Sequence, residues 1–475
     1  MDEAAGFPFV RQTPPMTNSE ETMMPAEQAK LPGVPPEGWR KDCGTPSLPE
    51  SFRSIGIPKV SRGWLGFLRK LLAFSGPGYL VAVGYMDPGN WATDLAGGSQ
   101  FQYTLLSVVI ASSLMAMFLQ HLALKLGVAT GRDLAQACRD HFSPKVNFAL
   151  WIGCEIAIAA CDLAELIGSA IALQLLFGVP LIWGICITAL DVIAILLLQN
   201  KGFRLIESIV VALIATIAVC FGIQIFLSKP EMGAVLGGCL PSLDIFRSKE
   251  MFYVAIGILG ATVMPHNLYL HSSIAQTRHF AQTPKGKREA IFFGTIDSTI
   301  ALTFALFINA AILIVAGAAF YKSGHHEVAE LEDAYRLLAP LLGMTAASTL
   351  FAVALLAAGQ NSTLTGTLAG QIVMEGFLRL KLSPVIRRLL TRLLAIIPAI
   401  LVTAIMGNSG TGKLLILSQV ILSLQLSFAV VPLVMFTSDP KKMGEFVNGT
   451  IVRYTGWTMA AVIAGLNGML LWQIL

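Results

Sequence analysis

Asp87-Pro88-Gly89-Asn90, inside the apolar run 71–95, and Met264-Pro265-His266-Asn267, inside 251–278, interrupt two segments long enough to cross a bilayer. Proline has no backbone N–H and blocks the bond a helix would make at that point. Glycine weakens a helix further. Each segment is therefore expected to unwind in the middle, freeing carbonyls and amides at membrane depth. Irregular backbone is tolerated there only where it is buried in protein or lines a cavity. The two breaks carry an aspartate, two asparagines, a histidine and a methionine, a donor set suited to caging a divalent metal ion.

The rest of the chain fits that setting. Of its 475 residues 55% are hydrophobic and only 13% charged, against about 25% charged in soluble domains. The composition predicts an all-α polytopic membrane protein, with the lipid bilayer as its partner and no nucleic-acid partner. Its 7 cysteines form no CxxC pair and most lie in apolar runs, so they read as packing residues rather than a disulfide or zinc framework. Residues 1–58 are polar and rich in Pro, Glu and Ser, without a signal peptide, and read as a disordered cytoplasmic tail. A short amphipathic piece, Trp64 to Leu72, leads into the first span.

Run lengths predict eleven spans: 71–95, 102–126, 147–177, 180–199, 204–228, 251–278, 289–320, 340–378, 386–406, 412–436 and 451–475. Lys and Arg crowd one set of alternating connectors, among them Arg69, Lys70, Arg132, Arg139, Lys201, Arg288, Arg379 and Lys442. The other set holds only Lys229, Arg247, Lys249, Lys322, Arg336 and Lys413. That bias puts the N-terminus in the cytoplasm and, with eleven spans, the C-terminus outside. The compact loops suggest a bacterial plasma membrane. An outer connector with Glu327, Glu330, Glu332 and Asp333 reads either as a solvated loop or as a lure for cations.

The broken spans are the first and the sixth. This spacing predicts two five-helix halves, 71–228 and 251–436, each opening with a discontinuous helix, plus an eleventh helix at 451–475. Inverted repeats with breaks at corresponding positions point to a secondary transporter whose substrate sits near the midplane.

At the breaks, Asp87 is a carboxylate at membrane depth, rarely present without function. Asn90 adds an oxygen one turn on, and the unwound backbone adds the carbonyl of Gly84 or Tyr85. The sixth span offers the Met264 thioether and the Ala261 carbonyl. A soft thioether favours later metals such as Fe²⁺, Co²⁺, Ni²⁺ and Cd²⁺, tolerates Mn²⁺ and does little for Mg²⁺ or Ca²⁺. Met264 thus reads as a filter, or else as plain packing. His266 and His271 titrate near neutrality and can carry protons. Glu155, Asp162 and Glu165 share a face of the third span, as a proton wire or as an ion-pair column with Arg387, Arg388 and Arg392. Gln419 and Asn309 read as interhelical hydrogen-bonding residues.

At these residues the chain resembles the Nramp family of proton-coupled divalent metal transporters, called MntH in bacteria. The resemblance runs from about residue 68 to the C-terminus, through Asp162-Leu163-Ala164-Glu165 and Leu417-Ser418-Gln419. It implies a LeuT-like fold of two inverted five-helix repeats. It also implies import of Mn²⁺ and Fe²⁺, with tolerance for Cd²⁺ and Co²⁺, coupled to protons by alternating access. It makes Asp87, Asn90 and Met264 the metal ligands, assisted by the carbonyls of Gly84 and Ala261, with Gln419 approaching in one state. It implies a proton route from Asp87 to Asp162 and Glu165, with Arg387 and Arg388 toward the cytoplasm and His266 modulating it. Gly84 stands where the family commonly has alanine, and Cys161 where threonine is frequent; both bear on rate and coupling. The expected protein is a monomer without cofactor, and the metal and the proton are its substrates. The alternatives are a symporter of a small organic solute or of Mg²⁺ on the same scaffold. An enzyme is not expected: no HExxH occurs, and His266 and His271 are five apart.

Overall fold

The computed structural model describes residues 39, 55–56, 63–189, 203–325, 330–343, 346–380, 384–406 and 410–474. Apart from Trp39, Ile55 and Gly56, the expected disordered tail lies outside the described residues, as do the fourth span beyond 189 and Cys43. The described chain is helical except for one parallel pair of two-residue strands, β1 (Ile55–Gly56) and β2 (Arg278–His279).

An amphipathic helix α1 (Trp64–Phe74) precedes the first broken helix, which is built as α2 (Pro77–Gly84) and α3 (Pro88–Phe101). Gly76 turns the chain into α2 at φ 133°, a conformation open to glycine. Pro77 then takes the first helical position, where no N–H is missed. Next come α4 (Leu106–Thr130), the short α5 (Leu134–His141), α6 (Pro144–Phe177), α7 (Leu181–Ala189), α8 (Phe203–Ser228) and α9 (Met232–Gly238). The second broken helix is α10 (Lys249–Val263) with α11 (Pro265–Ile274). Then follow α12 (Pro284–Ala319), α13 (Leu331–Leu342), α14 (Ala346–Leu378), α15 (Pro384–Met406), α16 (Thr411–Thr437), α17 (Pro440–Met443) and α18 (Thr450–Ile474).

Six of the described helices are long and apolar enough to span a membrane by length and composition. The halves of the first broken helix fail that test because each is too short. Polar Gln360, Asn361, Ser362, Thr363, Thr365 and Gln371 punctuate α14. The eighth span begins at Ala346 rather than at 340, because Gly343 adopts the left-handed conformation and ends α13.

The broken helices form the centre. α3 packs against α6, α10, α12 and α16; α11 packs against α4, α14 and α16. Large apolar side chains face outward on the peripheral helices, including Phe226, Leu394, Ile405, Ile451 and Trp472. A soluble monomer does not leave such a belt in water; lipid covers it. Cys138, Cys154, Cys161, Cys186, Cys220 and Cys239 are free thiols.

Candidate functional site

Both breaks fall at the proline motifs. Tyr85 and Met86 turn the chain out of α2, and Asp87 becomes the N-cap of α3 with extended backbone (ψ 165°) and Pro88 behind it. Its Oδ1 accepts from the Asn90 backbone N–H at 2.8 Å and from Asn90 Nδ2 at 2.7 Å. Its Oδ2 is buried and has no hydrogen-bond partner among the described residues. Across the gap, Met264 leaves helical geometry (ψ 106°) and Pro265 starts α11.

The two breaks touch. Asn90 Nδ2 also donates to the Ala261 carbonyl at 3.1 Å, reaching from α3 to α10. Asn267 Nδ2 lies 3.5 Å from Met264 Sδ. Gly84 stands so close to the Asn267 amide that a Cβ there would require Asn267 to move. Gly89 stands equally close to the Gln419 amide of α16, so Gln419 reaches the break rather than a distant helix. Asp87, Met264, Asn267 and Gln419 are fully buried. The Met264 thioether packs with Cys161 of α6 and Leu422 of α16.

Among the described residues the buried oxygens without partners here are Asp87 Oδ2, Asn267 Oδ1, Gln419 Oε1 and Asn309 Oδ1. A buried polar atom left unpaired costs about 1–3 kcal/mol. Unpaired buried oxygens at the two breaks, with the Met264 thioether on one of them, suit a cation better than an apolar ligand. Asn309 Nδ2 donates to the Tyr85 carbonyl at 2.8 Å and lies 3.4 Å from Asn90 Oδ1, tying α12 into the first break. Among the described residues no group of three or more His, Cys, Asp or Glu side chains is placed to hold a metal. The arrangement is one carboxylate with neutral donors.

The expected proton residues divide between two sides. Asp162 and Glu165 are buried on α6, with Cys161 Sγ 3.7 Å from Glu165 Oε1. His266 lies within electrostatic reach of Asp162. Glu155, two turns earlier, is half-buried and accepts from Trp151 Nε1 at 3.1 Å. His271 faces elsewhere: its Nδ1 pairs with Gln120 Oε1 of α4 at 2.9 Å, and Gln120 Nε2 donates to Tyr85 Oη at 2.6 Å. Five residues on a helix turn the direction by about 140°, which separates the two histidines. Arg387 and Arg388 fall on α15, and their side chains lie outside the described residues.

The sequence reading counts Asn267 in the donor set of the two breaks without making it a named ligand, and omits Asp94. Asp94 is buried on α3, seven residues after Asp87, within electrostatic reach of it and with Oδ2 unpartnered among the described residues. The spacing of Asp87, Asn90 and Asp94 along one helical face was the available signal.

A helical membrane protein with buried, cation-suited donors on two broken helices that touch is thus the class that fold and site define. The model of the natural resistance-associated macrophage protein-like (Nramp) family matches residues 78–473, and the chain belongs to that family. It is 64% identical over 430 residues to the divalent metal cation transporter MntH of a Nostoc species, covering 90% of this chain and 96% of that one. The crystal structure of the Eremococcus coleocola manganese transporter superimposes with a TM-score of 0.80 at 43% identity, covering 87% of this chain and 89% of that one. The nucleobase-cation-symport-1 family transporter Mhp1 shares the fold, with a TM-score of 0.54 at 16% identity over 80% of this chain and 83% of that one.

Proposed function

We propose that this protein is a secondary active transporter that imports Mn²⁺ into the cell, accepts Fe²⁺, Cd²⁺ and Co²⁺, and is driven by protons through alternating access. The relatives named above are transporters rather than enzymes. One observation carries the reading: Asp87 Oδ2 stands unpartnered and buried at a break whose Asn90 bonds across to Ala261 of the second interrupted helix.

In this reading Asp87, Asn90, Met264 and the carbonyls of Gly84 and Ala261 bind the metal. Gln419 closes over it from α16, and Asn267 is a further oxygen donor. Loading exchanges bonds rather than creating them from nothing. Asn90 now holds Ala261 through its amide and Asn309 through its oxygen, and both contacts yield to the cation. The metal displaces the proton on Asp87. That proton passes toward His266, Asp162 and Glu165, then past Glu155, with Arg387 and Arg388 on the cytoplasmic side. His271 of α11 is joined through Gln120 of α4 to Tyr85 at the first break and is a further proton-carrying group on this route.

The fold is read as LeuT-like. Two inverted five-helix repeats cover 71–228 and 251–436, the helix at 451–475 stands outside them, and residues 1–58 form a cytoplasmic tail. Its likeness to Mhp1 supports the architecture alone. The protein sits as a monomer in a bacterial plasma membrane, N-terminus inside and C-terminus outside.

Asp87→Ala tests the site directly. Proteoliposomes carrying it are expected to show no Mn²⁺ uptake above protein-free vesicles under an inward proton gradient. Uptake at the parental rate refutes the assignment. Competition by Cd²⁺ but not by amino acids separates metal transport from transport of an organic solute.

A further inference from the structure

We propose that α1 is a membrane-surface helix, lying across the bundle at the level of the lipid headgroups with Trp64, Leu65 and Leu72 in a phospholipid leaflet and Arg69 against anionic headgroups. Only the membrane class of the chain is needed for this, and it holds whether or not the transport reading does.

α1 has two apolar faces. Positions 64, 65, 68 and 72 fall within about 100° of one another around the helix, and 67, 70, 71 and 74 fall on the opposite side. The second face is packed. The rings of Phe67 and Phe74 lie 5.3 Å and 5.5 Å from that of Phe293 on α12, and Lys70 forms an ion pair with Glu289. Leu71 joins the same cluster, which includes Leu124 and Val128 of α4. The first face is open: Trp64 and Leu65 are each 71% exposed and Leu72 67%, with Leu68 half-buried between them and Arg69 exposed at the edge. Apolar surface left in water forgoes about 25 cal/mol for each Å² that could be covered.

What covers this strip follows from where α1 docks. α12 has 36 residues, about 54 Å, against a hydrocarbon core of about 30 Å. Its start carries Lys285, Lys287 and Arg288, and from Phe292 onward its exposed side is apolar through Ile300, Phe304 and Phe307. Basic side chains belong at the headgroups and apolar ones below them. The boundary therefore crosses α12 between Arg288 and Phe292, and α1 meets α12 at Glu289 and Phe293, on that boundary. Phe67 and Phe74 stand seven residues apart, about 10 Å along α1, yet both reach the one ring of Phe293. A helix running alongside α12 would hand them to different residues, so α1 crosses α12 and lies along the membrane surface. Its 11 residues are too few to span. Phe292, beside Phe293 in the docking site, is itself exposed, so the lipid-facing side of α12 reaches α1. An open apolar strip with a tryptophan at one end and a cation at its edge is the form of a helix held in the interface.

The experiment uses full-length protein in vesicles of phosphatidylcholine brominated either near the headgroup or near the end of the acyl chains, and it reads indole fluorescence. The emission that Trp64→Phe removes is the signal of Trp64. That signal is expected to be quenched more by the shallow bromines than by the deep ones. Leu72→Trp, at the other end of the strip, is expected to add emission with the same depth preference, and it decides the question by itself if Trp64→Phe does not fold. A Trp64 signal quenched at neither depth means that protein covers the strip, and overturns the proposal. Stronger deep quenching, or different depths for positions 64 and 72, sinks the helix into the bilayer and overturns it as well. In mixed vesicles, brominated phosphatidylglycerol is expected to quench Trp64 more than brominated phosphatidylcholine, through local enrichment of up to about fivefold. Arg69→Gln is expected to remove that difference. No lipid preference in the parent, or one that survives Arg69→Gln, overturns the headgroup contact assigned to Arg69.

Discussion

Asp87 shows how one side chain serves two purposes. One carboxylate oxygen caps α3 through the Asn90 N–H, as short polar residues at helix starts commonly do. The other oxygen has no such duty, and in the proposed function it is the one that takes the metal. A carboxylate used wholly as a cap would have no oxygen left to offer. Met264 is chosen on different grounds, since packing against Cys161 and Leu422 would suit any apolar residue of its size. Its sulfur distinguishes it. Met264→Ala is expected to keep part of the Mn²⁺ uptake while losing roughly tenfold in preference for Mn²⁺ over Ca²⁺, equivalent to about 1.4 kcal/mol. Competition of Mn²⁺ uptake by Ca²⁺ measures this, and an unaltered ratio would mean that the thioether only fills space.

At the scale of the element, what matters is how a short half-helix is held without neighbours in its own segment. α2 has eight residues, seven of them buried. Its first amides cannot bond within the helix. Asp297 of α12 accepts from the Gly78 N–H at 2.7 Å and from the Gly76 N–H at 3.3 Å. Asp297→Ala orphans both, at about 1–3 kcal/mol for each buried donor. The expected result is a lower melting temperature in detergent and faster proteolysis near residue 75; a variant as stable as the parent would show that water satisfies these amides instead. The breaks themselves were readable from Pro88 and Pro265, because a missing N–H acts locally. The partner that steadies α2 was not, because Asp297 lies more than two hundred residues away and looks like an ordinary buried acid. The division between His266 and His271 could be read from helical periodicity, yet their partners could not, since Asp162 and Gln120 come from different helices.

For the molecule as a whole, the acidic connector before α13 does more than lie in water. Glu330, just before α13, accepts from Thr411 Oγ1 and from the Gly412 N–H at 2.7 Å each, docking the connector onto the first turn of α16, the helix that carries Gln419. The acidic stretch that reads as a solvated loop therefore includes a latch, although Glu327 lies outside the described residues. Burial pushes the Glu330 carboxyl above the ordinary glutamate range, Asp333 and Glu332 add to this, and the bonds from Thr411 and Gly412 oppose it. A carboxyl whose folded-state pKa is raised contributes stability that is present below its unfolded value and is lost as pH rises through the folded value. The parent should thus gain stability over Glu330→Gln as pH falls toward the unfolded glutamate value. Melting curves of both proteins across the mildly acidic range check the sign, and a gap that widens with rising pH would reverse the account.

Hydropathy, the two proline-centred breaks and the side chains on them are local properties, so the sequence by itself determined the helical membrane class, the places where helices stop, and Asp87, Asn90 and Met264 as candidates. Each follows from a residue's own chemistry or from spacing along one helix. Only the tertiary structure decided which oxygens are left unpaired, that Gln419 stands against Gly89, that Asn267 joins Met264, and that Trp39 packs against Lys442, Arg132 and Phe436. Those facts depend on which distant helices meet, and hydrogen bonds taken up by one partner are withheld from another; no reading along a single segment carries that competition.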